Sequence, residues 1–170
     1  MRRSLLVLAT WASLTVAGAS QANELMWVSE TKADTYFLDL DTIQGEKDYP
    51  NFRSISVYRF TDVERAQKEG YDYTNAIMGV DCSKSGSVAL LQVVAYNAQG
   101  AEVARETSSE NPVEWDWFEA PAYTHMGLTW NAVCKNARSG DRRSDKDLPA
   151  LLREVRERQS KALPSRLPSL

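Results

Sequence analysis

Few residues in this 170-residue sequence have side chains that could do chemistry. One histidine, His125, and two cysteines, Cys82 and Cys134, leave no material for a His/Cys zinc cluster, a Ser-His-Asp triad or a Cys–His pair. His125 precedes Met126 and Trp130 at helical spacing, which predicts a surface or capping role for it rather than catalysis. Glycine-rich phosphate and dinucleotide loops and the G-x-S-x-G elbow are absent. Two carboxylate groupings remain. Asp39-Leu40-Asp41 puts two acids on one face at a strand end, a pattern that suits a cation but is met more simply by a turn or cap. Glu114, Asp116 and Glu119 interleave with Trp115, Trp117 and Phe118. Carboxylates beside aromatic rings suit a sugar site, although a strand with one buried aromatic face has the same letters. Trp115, Asp116 and Trp117 are the candidate binding surface; no catalytic residue, metal ligand or cofactor is expected.

The cysteines acquire meaning from the N-terminus. Arg2 and Arg3 precede a nearly uncharged Leu/Val/Ala run over residues 5–19, and Ser20-Gln21-Ala22 is a small-x-small exit. That is the order of parts in a secretory signal, so residues 1–22 are expected to be a signal peptide and the mature chain periplasmic or secreted. The run is shorter than the ~20 residues that a membrane span needs. No cysteine lies in residues 1–30 on which an N-terminal lipid anchor could be built. In an oxidising compartment two cysteines are most simply one disulfide. Cys82 and Cys134 are 52 positions apart, and closing so long a loop stabilises by about 4 kcal/mol.

Composition and charge restrict the remaining classes. With 43% hydrophobic and 25% charged residues, the sequence is that of a globular domain, not of a disordered or polytopic membrane chain. Residues 23–135 hold nine Lys/Arg against eighteen Asp/Glu, whereas residues 136–170 hold nine against five. An acidic body with a basic tail argues against nucleic acid as partner, because phosphate neutralisation needs clustered cations.

The elements that must position these residues read mostly as strands. Trp27-Val28 and residues 35–40 are short β-rich runs; residues 53–60 alternate, with Ile55 and Val57 on one face. Residues 87–96 are apolar on both faces, as a central strand covered twice would be, and with residues 101–107 they form a hairpin about Asn97-Ala98-Gln99-Gly100. Thr61 with Glu64 fits a capping box for a short helix that Gly70 ends. A second helix, capped by Thr124, carries Met126, Trp130, Val133 and Cys134 on one stripe, so that Cys134 clips it to the strand ending at Cys82. Residues 136–147 read as a linker. From Asp147 to about Leu163 an amphipathic helix presents Leu148, Leu151, Leu152 and Val155; an exposed appendage, docking on the acidic body and partner binding are all open, the first favoured.

Taken in order, Trp27-Val28, Tyr36-Phe37-Leu38-Asp39 with Thr42-Ile43, Val57, Asp81-Cys82, a long strand ending in Tyr96, Gly100, Glu114-Trp115 with Pro121, and Val133-Cys134 resemble the surface-adhesin protein E family of Gram-negative bacteria. The likeness covers about residues 25–135 and none of the tail. It implies an exported α+β domain: a twisted antiparallel sheet, a C-terminal helix packed on it, and one disulfide, here with an extra tail helix. It also implies a non-enzymatic binding protein of the envelope, since the family includes outer-membrane lipoprotein adhesins for host vitronectin, laminin and plasminogen. The expected partner is another envelope or extracellular protein. The alternative is a periplasmic small-ligand domain or minor carboxylate-based hydrolase.

Overall fold

A computed structural model describes residues 24–31, 33–108, 111–137, 142–143 and 147–162; the expected signal peptide lies outside them. Six strands run as an antiparallel meander: β1 (Leu25–Glu30), β2 (Asp34–Gly45), β3 (Phe52–Thr61), β4 (Tyr73–Asp81), β5 (Ser87–Tyr96) and β6 (Glu102–Thr107). Two short strands complete the sheet. β7 (Phe118–Glu119) pairs with β5, and β8 (Arg142–Arg143) pairs with β1 inside the expected linker, giving the order β6-β5-β4-β3-β2-β1-β8. Helices α1 (Val63–Glu69), α2 (His125–Cys134) and α3 (Leu148–Ala162) follow the chain order. No helix among the described residues is long and apolar enough to cross a membrane.

Strand alternation divides the apolar residues between two faces. Met26, Leu38, Ile55, Val57, Met78, Val80 and Val88 point to one face and are covered by Trp130 and Ala132 of α2. Leu25, Phe37, Phe60 and Tyr73, with Trp27, Tyr58 and Tyr96 around them, point to the other and are covered by Leu151, Leu152 and Val155 of α3. The sheet is therefore a middle layer between two helices. The tail is not an exposed appendage: its stripe is buried on aromatic rings, and Arg156 pairs with Asp72 at 2.6 Å.

The second helix is fixed at both ends. The Thr124 hydroxyl accepts from the Gly127 amide at 3.2 Å, and Gly127 sits so close to the preceding turn that a Cβ there would lie 2.2 Å from the Pro121 carbonyl oxygen. At the far end the Cys82–Cys134 bridge closes, with S–S 2.02 Å and Cα–Cα 5.3 Å. Beside it Trp130 Nε1 donates to the Asp81 carbonyl at 3.0 Å. The disulfide and the helix stripe stand as expected.

Other elements differ locally from the sequence reading. Asp62, not Thr61, caps α1, accepting from the Arg65 amide at 2.7 Å; the Thr61 hydroxyl instead donates to the Asp72 carbonyl, 2.8 Å away. β5 is an interior strand, buried on both faces at Val88-Ala89 and Val94-Ala95 as expected, but its outer side is paired only with the short β6 and β7, and Leu90 is exposed. Asp39 is buried in mid-strand rather than at a strand end, while Asp41 is exposed and accepts from the Glu24 amide.

Candidate functional site

The aromatic–acidic segment over residues 111–123 is not a strand with one buried face. The Asn111 side chain accepts from the Val113 amide at 3.1 Å and donates to Glu114 at 3.2 Å, winding Pro112–Glu114 into a 3-10 turn. The Trp117 amide then donates to the Trp115 carbonyl at 2.9 Å, which throws consecutive indoles to different depths. β7 and the bond from Ala120 N to Gly86 O, 2.8 Å, staple the end of the segment to the sheet.

Trp115 is the anchor. It is 7% exposed and lies against Gly79, where an added Cβ would come within 2.7 Å of its six-membered ring. Only a residue without a side chain lets the indole lie flat on the strand. Gly79 and Phe52 share the face of Tyr73 and Phe60 by strand parity, so this face carries two aromatic groups: one beneath α3, the other beneath Trp115. The second group extends outward, with Phe52 to Trp117 at 4.9 Å, Trp115 to Trp117 at 5.4 Å and Tyr49 to Phe52 at 5.4 Å between ring centres. Trp117 is half-buried, and Asp116 is exposed beside it. Around them Val113 is 70%, Phe118 41% and Tyr123 85% exposed, with the exposed acids Glu114 and Glu119 interspersed. Of the candidate residues, Asp116 and Trp117 are accessible; Trp115 has no open ring face to offer a sugar.

A second cluster escaped the sequence reading. Asp34, buried at the start of β2, accepts from Arg59 Nε at 2.8 Å and from Arg65 Nη1 at 2.9 Å. Glu69 takes Arg65 Nε at 2.6 Å and Arg59 Nη2 at 3.4 Å, and Arg59 Nη1 donates to the Tyr71 hydroxyl at 3.2 Å. Two guanidinium groups meet two carboxylates, so the cluster is electrically closed. Burial works against the Glu69 charge, yet hydrogen bonds from Tyr71 and Arg65 and both arginine charges hold its carboxyl down to about 2. His125 packs on the edge of this cluster, stacked on Tyr36 with ring centres 3.9 Å apart and planes at 11°. Burial pushes its imidazole below the usual range and pushes the Tyr36 phenol up. The histidine is thus a packing residue of the first helical turn, and Thr124 is the cap. Only the Arg65–Glu69 pair, at i and i+4, was readable from spacing; strand pairing brings in the rest.

The sequence pattern of surface-adhesin protein E matches residues 25–135. The chain belongs to the surface-adhesin protein E family. No curated protein and no solved structure matches it. The span matched to the surface-adhesin family takes in the meander, the Trp115 segment, α2 and both cysteines, whereas β8 and α3 lie beyond it.

Proposed function

We propose that this chain is an exported, non-enzymatic binding protein of the bacterial envelope, periplasmic or secreted, and that it engages another protein through residues 111–123. The observation that carries this reading is the division of labour between neighbouring indoles. Trp115 is spent on anchoring the segment, while Trp117, Phe118, Val113 and Tyr123 are held outward by it. Exposed aromatic and aliphatic side chains on a stapled loop are what a protein interface uses at its centre. The acids Glu114, Asp116 and Glu119 around them select a partner with a basic rim. Family membership supports the same class of function.

The test is photo-cross-linking on cells that export the full chain, with benzophenone placed at Phe118 or Tyr123. Discrete adducts at both positions are expected, and the Trp117→Ser change should abolish them. Adducts equally abundant from a probe at Gln67, on α1, or none at either loop position, would rule the loop out as the interface.

A further inference from the structure

The face beneath α3 is made of residues from β1 to β5, Leu25, Phe37, Phe60 and Tyr73 ringed by Trp27, Tyr58 and Tyr96, with Ala98 of the following turn at its edge. Its rings form a continuous run: Phe37 meets Phe60 edge-on at 5.8 Å, and Phe60–Tyr73 at 5.4 Å and Tyr73–Tyr96 at 5.0 Å are stacked. The centre of this face is closed to solvent, with Leu25, Phe37, Phe60 and Tyr73 at most 2% exposed; at its rim burial, and then the Asp39 carboxylate, push the Tyr58 phenol up to about 12. All of it lies within the family-matched span, and the helix that covers it does not.

The fit of that helix is incomplete. Leu148, Leu151, Leu152 and Val155 set a stripe that continues at i+3 and i+4 into Arg158 and Gln159, so its last turns face the sheet with polar groups. Arg158 Nε and Nη2 and Gln159 Oε1 are buried without a hydrogen bond, as is Trp27 Nε1 on the sheet. Orphaned polar atoms of this kind oppose docking, because each would be hydrated in the open state. A cleft of about 380 Å³ separates the helix from α1, lined by Asp62, Val63, Gln67, Arg156 and Ser160 among others. What holds α3 is an apolar stripe of two to three turns and charge: basic tail on acidic body, with Arg156 on Asp72 and Arg156 Nε on the Thr61 carbonyl, 3.3 Å away.

We propose that this aromatic face is a docking site for basic amphipathic helices, that α3 is its exchangeable resident, and that a basic amphipathic helix of a partner protein takes the site when α3 lifts away. The resident specifies the ligand: two adjacent leucines, a valine three residues after them, and an arginine on the following position to meet Asp72.

The full chain carrying Leu152→Asp and Val155→Asp tests this. It should keep its cooperative thermal melting and its disulfide. A fluorescent peptide of residues 147–162, in the unaltered sequence, should bind it at least about tenfold more tightly than it binds the unaltered chain, where the resident competes. The same peptide with Arg156→Glu and Arg158→Glu should bind at least about tenfold more weakly. A folded variant that ignores the peptide, or a variant that loses its cooperative melting, would overturn the proposal, the latter because the face would then be core. In the unaltered chain the amides of α3 should exchange with deuterium as a group ahead of β3 and β4; equal protection would overturn it too. A concentration-dependent dimer of the unaltered chain, lost on Leu152→Asp, would assign the site to a second copy instead of a partner.

Discussion

Gly79, Gly86 and Gly127 each stand where a Cβ would come within 3 Å of a neighbour, so single side chains are excluded at three places in this molecule. At Gly79 a methyl group would intrude on the Trp115 ring and come within 3.2 Å of the Leu91 side chain. Gly79→Ala is expected to cost about 1–3 kcal/mol in urea unfolding, and Trp115→Ala about 3–5 kcal/mol. The double variant should cost less than the sum, because the clash is gone once the indole is; strict additivity would show that the two do not touch. Acid stability belongs to Glu69. Its carboxyl lies at about 2 when folded against 4.5 as reference, so its stabilisation is full above pH 4.5 and is lost as pH falls toward 2. Chemical denaturation across that range should lose less with Glu69→Gln than with the unaltered chain. His125 adds a shallower slope of the same sign below its reference 6.5, since its folded form resists charging. Beyond the i, i+4 pair of Arg65 and Glu69, none of this chemistry was visible in spacing. Residues 34 and 59 become neighbours only because β2 pairs with β3 in one register, and Arg65 joins them from α1, which follows β3 directly.

Among the elements, the meander and both longer helices were legible because alternation and 3.6-residue stripes are local properties. What could not be read was set by neighbours. β5 has apolar letters on both sides, yet its outer edge meets only the short β7 and β6, with the Ser108 amide and hydroxyl bridging to Leu91 and Leu90 between them. The Trp115 segment has the letters of a strand, but the bond that the Asn111 side chain accepts from the Val113 amide and the one that the Trp117 amide donates to Trp115 turn it. The side taken by the tail helix was not written in its own sequence either; the aromatic face that receives it is scattered over five strands. The disulfide is the one long-range contact that the sequence stated outright. Reducing it removes the far anchor of α2 while leaving the β5–β6 hairpin its own hydrogen bonds. Hydrogen exchange after reduction should therefore open residues 125–134 before residues 87–107, and simultaneous opening would refute this local role of the bridge.

On the scale of the whole molecule, charge and topology divide it the same way. An acidic body carries a basic tail, and part of the attachment is electrostatic. Raising ionic strength from about 0.01 to 1 M shortens the screening length from about 30 to 3 Å. Exchange of α3 amides should accelerate with that change while the strands keep their rates; salt-insensitive exchange would mean that apolar contact alone seats the helix. The meander has a further consequence. Every neighbouring pair from β1 to β6 is consecutive along the chain, so each can zip as soon as it is synthesised or threaded out. The cover for the aromatic side comes last of all. At about 5–20 residues per second of synthesis, a newborn molecule presents a bare, ring-lined plane to whatever surrounds it for a second or more before its own tail arrives. Neighbouring copies thus have first access to that plane, and crowding during biogenesis is the condition under which this molecule is most exposed to wrong company.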